Sequence, residues 1–71
     1  MENNIRKIRK EQGMSIHKLA ELAKVSEVYI YHLENGTRKN PSYEVMKNIA
    51  KSLNTSIEEI FLWTFIELVI R

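Results

Sequence analysis

Apolar residues recur along most of this chain at intervals of three and four, the spacing of one helix face. Ile5 and Ile8 set it first, polar Arg6, Lys7, Lys10 and Glu11 complete the surface, and Gly13 follows. Glycine is the usual residue just past a helix because it adopts a left-handed backbone without steric cost, so a first helix is expected over about Asn3 to Gln12. Ser15 is a good N-cap for a second, with Ile16, Leu19, Ala20 and Ala23 as its stripe. A third starts at once: Ser26 caps it, Ile30 and Leu33 face inward, and Asn35-Gly36 stop it. GTRKNP, from Gly36 to Pro41, is a loop of turn-formers. Ser42 then caps a fourth helix with the stripe Tyr43, Met46, Ile49, Ala50 and Leu53, ended by Asn54. Thr55 with Glu58, and Ser56 with Glu59, each have capping-box spacing, so a fifth helix is expected from near Ser56. No strand pattern precedes residue 60. The expected class is mainly α, with five helices.

The end of the chain breaks this pattern. From Ile60 to Ile70 only Thr64 and Glu67 are not apolar. A run of about ten apolar residues is too short for a bilayer span, which needs about 20. As a helix, Leu62, Phe65, Ile66, Val69 and Ile70 form one stripe. As a strand, Leu62, Thr64, Ile66, Leu68 and Ile70 face one way, and Phe61, Trp63, Phe65, Glu67 and Val69 the other. The aromatic and β-branched content favours the strand. Either form makes more apolar surface than one small domain covers, which points to a second copy of the chain.

With 71 residues there is room for one core only. A chain this short buries about 60% of its unfolded surface and gains much from a partner. It has no Cys, which excludes disulfides, thiolate metal sites and cysteine nucleophiles and fits a reducing compartment. No charged-then-apolar leader opens it, so a cytoplasmic protein is expected. There is no Asp, and the only two histidines, His17 and His32, lie on different expected helices. Neither catalysis, a metal, a cofactor nor a small-molecule pocket is indicated. Net charge is +2, unevenly placed: residues 1–40 carry eight Lys/Arg against five Glu, and residues 41–71 three against four. That asymmetry mildly favours a polyanionic partner for the first half.

Residues Ser15 to Gly36 carry the most information. Ala23, Lys24 and Val25 alone carry the chain from the stripe of the second helix to the cap of the third, a link that forces a steep helix-turn-helix crossing. With Ile30 and Leu33 inward, Val28 points away from the core and Tyr31 and His32 flank it. Glu27 lies in the exposed first turn, and Tyr29 borders the core. A short helix presented in this way has the geometry that reads base edges in the major groove of DNA.

The segments IRKIRKEQGMS, KLAELAKVSEVYIYHLENG and NPSYEVMKNIAKSLNTSIEEIF together resemble the lambda-repressor and Cro-type helix-turn-helix family from about Ile5 to Phe61. The resemblance implies a five-helix DNA-binding domain over 1–61, whose recognition helix spans Ser26 to Glu34. The family's base-reading positions fall on Glu27, Val28 and His32, with Tyr31 close by. Glu27 can accept from cytosine N4, Val28 can pack on a thymine methyl, and His32 can bond a purine N7 or O6. Glu27 also suits its helix N-terminus electrostatically. Phosphate contacts are implied from Ser15, Ile16 and His17 at the start of the second helix, and from Tyr29, Asn35, Thr37, Arg38 and Lys39. His17 either joins these or pairs with Glu21 one turn on. Arg9 and Glu34 match the family's buried ion pair; independently, Glu34 lies at the core edge, where an unpaired carboxylate is costly.

Three departures from the family pattern stand out. Ile16 occupies a position where Gln often holds a phosphate and orients its neighbour. Lys24 stands where Gly is favoured, so it must accept a left-handed backbone or shift the turn. The recognition helix carries no Lys or Arg, so the usual Arg-to-guanine contact is missing. The expectation is a transcriptional regulator, a repressor, binding double-stranded DNA as a homodimer on a pseudo-palindromic operator. Residues 62–71 are the expected dimer interface, through Leu62, Trp63, Phe65, Ile66, Leu68, Val69 and Ile70. The rival expectation is an antitoxin or protein-interaction module whose apolar terminus grips another protein.

Overall fold

Serine hydroxyls start four of the five helices in the computed structural model, which describes residues 3–38 and 40–61. The helices are α1 (Ile5–Glu11), α2 (Ile16–Ala23), α3 (Glu27–Glu34) and α4 (Tyr43–Ser52), followed by α5 over 57–61. No strand occurs among the described residues. The backbone at Ser15, Ser26 and Ser42 is extended, and each Oγ accepts the N–H three residues on, from Lys18, Tyr29 and Val45. Ser56 does the same for Glu59 at 3.2 Å. Each bond satisfies one of the donors a helix start leaves without an intrahelical acceptor.

The helix ends share a device too. Gly13, Lys24 and Asn54 all have positive φ, at 66°, 61° and 54°. In each case the next residue's N–H reaches back five positions: Met14 to Arg9, Val25 to Ala20, Thr55 to Ala50. This is the Schellman closure, in which one left-handed residue turns the chain away while satisfying terminal carbonyls. Lys24 therefore takes the left-handed backbone rather than shifting the turn, with φ 61° and ψ 41°. Three residues then suffice to pass from α2 to α3.

The core gathers Ile5, Leu19, Ala20, Ala23, Ile30, Leu33, Met46, Ile49, Ala50, Leu53, Ile60 and Phe61. Ile8, Ile16 and Val25 pack at its margin, half-buried. Two expectations fail here. Tyr43 is 64% exposed instead of capping the α4 stripe; as the first helical residue it extends past the edge of the core. Thr55 with Glu58 forms no capping box: Ser56 is the cap, and the Thr55 hydroxyl donates to Glu59. The first helix begins at Ile5 rather than Asn3 and ends at Glu11 rather than Gln12, because its terminal residues serve the neighbours. Asn3 Nδ2 donates to Leu33 O at 2.9 Å, Asn4 Nδ2 to Glu59 O at 2.8 Å, and Gln12 Nε2 to Leu53 O at 2.6 Å. α1 and its flanks thus satisfy carbonyls in or just after three other helices.

The remaining link between α1 and α3 is ionic. Arg9 Nε donates to Glu34 Oε2 at 2.7 Å and a second guanidinium nitrogen to Oε1 at 3.0 Å, a two-pronged pair. The third nitrogen donates to Met14 O at 2.9 Å, and Arg6 Nε adds a contact to Oε1 at 3.2 Å. The Glu34 side chain is fully buried and that of Arg9 nearly so. The Arg9 pKa is pushed up, chiefly by its hydrogen bond to Glu34 and against the effect of burial, so its charge is secure. The expected structural pair is present.

Removing one member of such a pair leaves the other charge buried. Arg9→Met is expected to destabilise the domain by about 3 kcal/mol. That is a large share of the about 4–10 kcal/mol usual for a domain of this size, and urea unfolding followed by circular dichroism measures it.

Candidate nucleic-acid interface

The site is built on α3, whose inner edge is pinned by Ile30 and Leu33 in the core and by Glu34 on Arg9. What remains faces outward. Val28 is 63% exposed and Tyr31 50%, and the Glu27 side chain is exposed at the first turn. These three form the row expected from the helical wheel. His32 differs from expectation in part: it is half-buried, and its Nδ1 is enclosed with no hydrogen-bond partner among the described residues. The Tyr31 ring meets it edge-on, with centroids 5.6 Å apart. An enclosed N–H without a partner is costlier than an enclosed lone pair, which favours the tautomer with its proton on Nε2.

Two contacts attach the expected phosphate-binding segments to this helix. At the start of α2, His17 Nδ1 lies 2.9 Å from Glu27 Oε2, so the first turns of α2 and α3 are bridged across the turn. The alternative pairing of His17 with Glu21 is not formed; Glu21 meets Lys18 instead, at 3.3 Å. The His17 imidazole pKa is raised, first by the hydrogen bond to Glu27 and then by that carboxylate's charge. On the other side, the Arg38 guanidinium lies 5.0 Å from the centre of the Tyr29 ring, a cation–π contact. Tyr29 is half-buried and supports Arg38 from below the row.

The loop after α3 is ordered by its own polar groups. Asn35 Oδ1 accepts from Thr37 N at 2.9 Å, and Arg38 N donates to His32 O at 3.0 Å. Asn35, Thr37 and Arg38 are all exposed. At the other segment Ser15 and His17 are exposed, while Ile16 is half-buried against the core. The backbone N–H groups of Ile16 and His17 precede the first intrahelical bond, from Leu19 N to Ser15 O, and so remain open to an anion. Lys39, and the expected interface residues Leu62, Trp63, Phe65, Ile66, Leu68, Val69 and Ile70, lie outside the described residues. The expected strand over that segment lies outside them too.

Sequence reasoning missed both the His17–Glu27 bridge and the Arg38–Tyr29 contact. Each joins residues nine or ten positions apart on different elements, beyond the reach of helical periodicity. A usable signal existed for the first: His17 and Glu27 are opposite in character and each lies within two residues of a serine cap.

Two capped helices on a three-residue link, the second anchored by its inner edge and exposed along its outer one, define a helix-turn-helix domain. The helix-turn-helix family model matches residues 5–60, and the chain belongs to that family, in its Cro and lambda-repressor branch. Among relatives, it is 37% identical over 57 residues to the HTH-type transcriptional regulator SlrR of Bacillus subtilis, covering 80% of this chain and 38% of SlrR. It is 32% identical over 56 residues to SinR of the same organism, covering 79% of this chain and 50% of SinR. The chain thus spans half or less of these relatives' length. Its fold matches the crystal structure of SinR, the master regulator for biofilm formation, in complex with DNA. There the TM-score is 0.72 and identity 33%, over 76% of this chain and 86% of that one. It also matches the restriction-modification controller protein C.AhdI from Aeromonas hydrophila, with TM-score 0.73 and 29% identity over 78% and 82% of the two chains.

The bridge makes a pH prediction with a definite sign. Since the folded-state value of His17 lies above its unfolded one, the pair's contribution is complete below the ordinary imidazole value of about 6.5. It is lost as pH rises through the raised value. An NMR titration should show His17 titrating above that ordinary value, and Glu27→Gln should bring it back down.

Proposed function

We propose that this chain is a sequence-specific DNA-binding transcriptional regulator, a repressor, that acts on a pseudo-palindromic operator as a homodimer in the cytoplasm. The observation that carries the reading is the exposed row Glu27, Val28 and Tyr31 on a helix fixed from behind, flanked by exposed groups suited to phosphates. The solved complex of SinR with DNA supports it by fold and family.

In this reading α3 enters the major groove. Val28 packs on a thymine methyl, Glu27 accepts from cytosine N4, and His32 donates from Nε2 to a purine N7 or O6. Tyr31 contributes contact area beside them. The amides of Ile16 and His17, the side chains of Ser15, Asn35 and Thr37, and the cations Arg38 and Lys39 hold the phosphates. Tyr29 acts through Arg38, whose guanidinium it positions. Because α3 supplies no cation, affinity rests on these flanks and on pairing two domains. Two recognition helices about 34 Å apart reach successive major grooves on one face of the duplex. The apolar segment 62–71 makes that pair, because left bare it would expose a large apolar patch. No catalytic step belongs to this reading.

Selection of bound sites from random duplex DNA tests it directly, and failure to enrich any sequence at low ionic strength would overturn it. With the selected site in hand, Arg38→Ala combined with Lys39→Ala should weaken binding to all sequences and reduce the salt slope by about 2. Val28→Asn should instead change which operator is preferred, and a uniform loss across sequences would count against base reading there. Deleting residues 63–71 should give a monomer in sedimentation, with much weaker operator binding; an unchanged dimer would place the interface elsewhere.

A further inference from the structure

The pair between His17 and Glu27 is out of place as a stabilising device. Both side chains are largely exposed, at 72% and 56%, and exposed ion pairs contribute little to folding. Its position is more telling. It joins the first turn of α2 to the first turn of α3, the two places where the DNA-binding reading needs contact with phosphate and base. Between the two helices lies an open groove of about 410 Å³ lined by His17, Ala20, Glu21, Val25, Ser26 and Glu27.

A carboxylate at the tip of a recognition helix poses an electrostatic problem. Glu27 must approach a polyanion, and α3 has no Lys or Arg to offset it. The imidazole is the nearest group able to do so. Its Nδ1 faces a carboxylate oxygen, which only accepts, so Nδ1 carries a proton. The role of Nε2 then depends on protonation. In the neutral ring it is a lone pair and repels phosphate. In the imidazolium it is an N–H donor.

Resting on the DNA-binding reading, we propose that His17 is a specificity-determining residue: its imidazolium bridges the Glu27 carboxylate to a DNA phosphate, aims that carboxylate at its base, and makes recognition depend on a bound proton. The ring donates through Nδ1 to Glu27 and through Nε2 to the phosphate, and its single positive charge lies between two anions. Binding of DNA adds the second anion, so the complex takes up a proton wherever the free ring is partly neutral. The other charged groups that act on this ring are Lys18 and Glu21, both on α2. They are paired to each other at 3.3 Å, which leaves Glu27 as the partner that sets its charge.

The test uses the whole chain and its selected duplex, with binding measured by calorimetry from about pH 5.5 to about pH 8.5, a span that brackets the ordinary imidazole value. Wild type should lose affinity as pH rises and show proton uptake, read from the dependence of the binding enthalpy on buffer ionisation. His17→Gln should bind roughly fivefold more weakly at low pH, the upper range of an exposed pair. It should also flatten the pH profile, abolish the proton uptake attributable to this ring and relax base preference where Glu27 reads. His32→Gln, whatever its affinity, should keep the slope, which excludes the other imidazole as its source. If His17→Gln retains wild-type affinity, pH slope, proton uptake and base preference while binding stays selective, the role of His17 falls and the DNA-binding reading stands. If wild type binds no duplex at any pH, both fall.

Discussion

The orientation of α3 depends on one buried interaction, the two-pronged bond between Arg9 and Glu34. α3 has a weak division between apolar and polar faces: of its apolar residues only Ile30 and Leu33 are fully buried. Two apolar side chains hold a short helix against a core but leave its rotation loosely defined, since hydrophobic contact is not directional. The planar guanidinium supplies the missing direction. Nε and a second nitrogen meet the two carboxylate oxygens, and the third nitrogen is fixed on Met14 O, so α1, the α1–α2 turn and the end of α3 are joined at one point. A buried pair of this kind contributes little net stability compared with apolar packing. What it contributes here is the angle at which Glu27, Val28 and Tyr31 leave the surface.

The polar groups of α1 and its flanks are likewise spent on other helices. Asn3, Asn4 and Gln12 satisfy carbonyls of Leu33, Glu59 and Leu53, and Arg9 satisfies Glu34. α1 and its flanks act as a brace on the end of α3, on Glu59 within α5 and on the residue following α4. The α2–α3 crossing is set by the short turn together with the packing of the two helices in the shared core. There the left-handed backbone at Lys24 costs about 1–2 kcal/mol for a residue with a Cβ. The cost is offset by the Schellman bonds it permits and by the burial of Ala20 and Ala23, whose small side chains admit a close approach of α3.

How much of this could be read beforehand follows from the range of each signal. The serine caps, the left-handed Gly13 and the stripes of α2 and α4 are local, set by residues three to five apart, and the sequence carries them plainly. The Arg9–Glu34 pair is long-range, yet it was accessible because a carboxylate at the core edge demands a cation and the family supplies the candidate. Tyr43 shows the limit of periodicity. The pattern places it on the stripe, but only the depth of the core decides whether a stripe residue finds anything to cover it. His32 shows another: the wheel orients a side chain to within a sector, while its half-burial depends on the edge of Tyr31 and the enclosure of Nδ1. The contacts of His17 with Glu27 and of Arg38 with Tyr29 belong to the site itself and arise only once α2, α3 and the loop are assembled.

The electrostatics of the face then follow from where the charges can go. Lys and Arg are absent from α3, so under the proposed function its approach to a polyanion would be driven from the rim, by Arg38 on the Tyr29 ring and by open amides at the start of α2. Rim charges act mainly on encounter and on salt dependence, whereas selectivity requires groups that differ in their fit to each base. In the proposed reading Val28 and Glu27 are of that second kind: one is apolar, the other an acceptor with a demanding geometry. A helix reading through such residues has low affinity for wrong sequences as well as right ones, because it adds no indiscriminate attraction of its own. The cost is weak binding by a single domain, which the proposed pairing of two domains on one duplex would recover, since the second engagement is intramolecular and raises affinity without any new contact type.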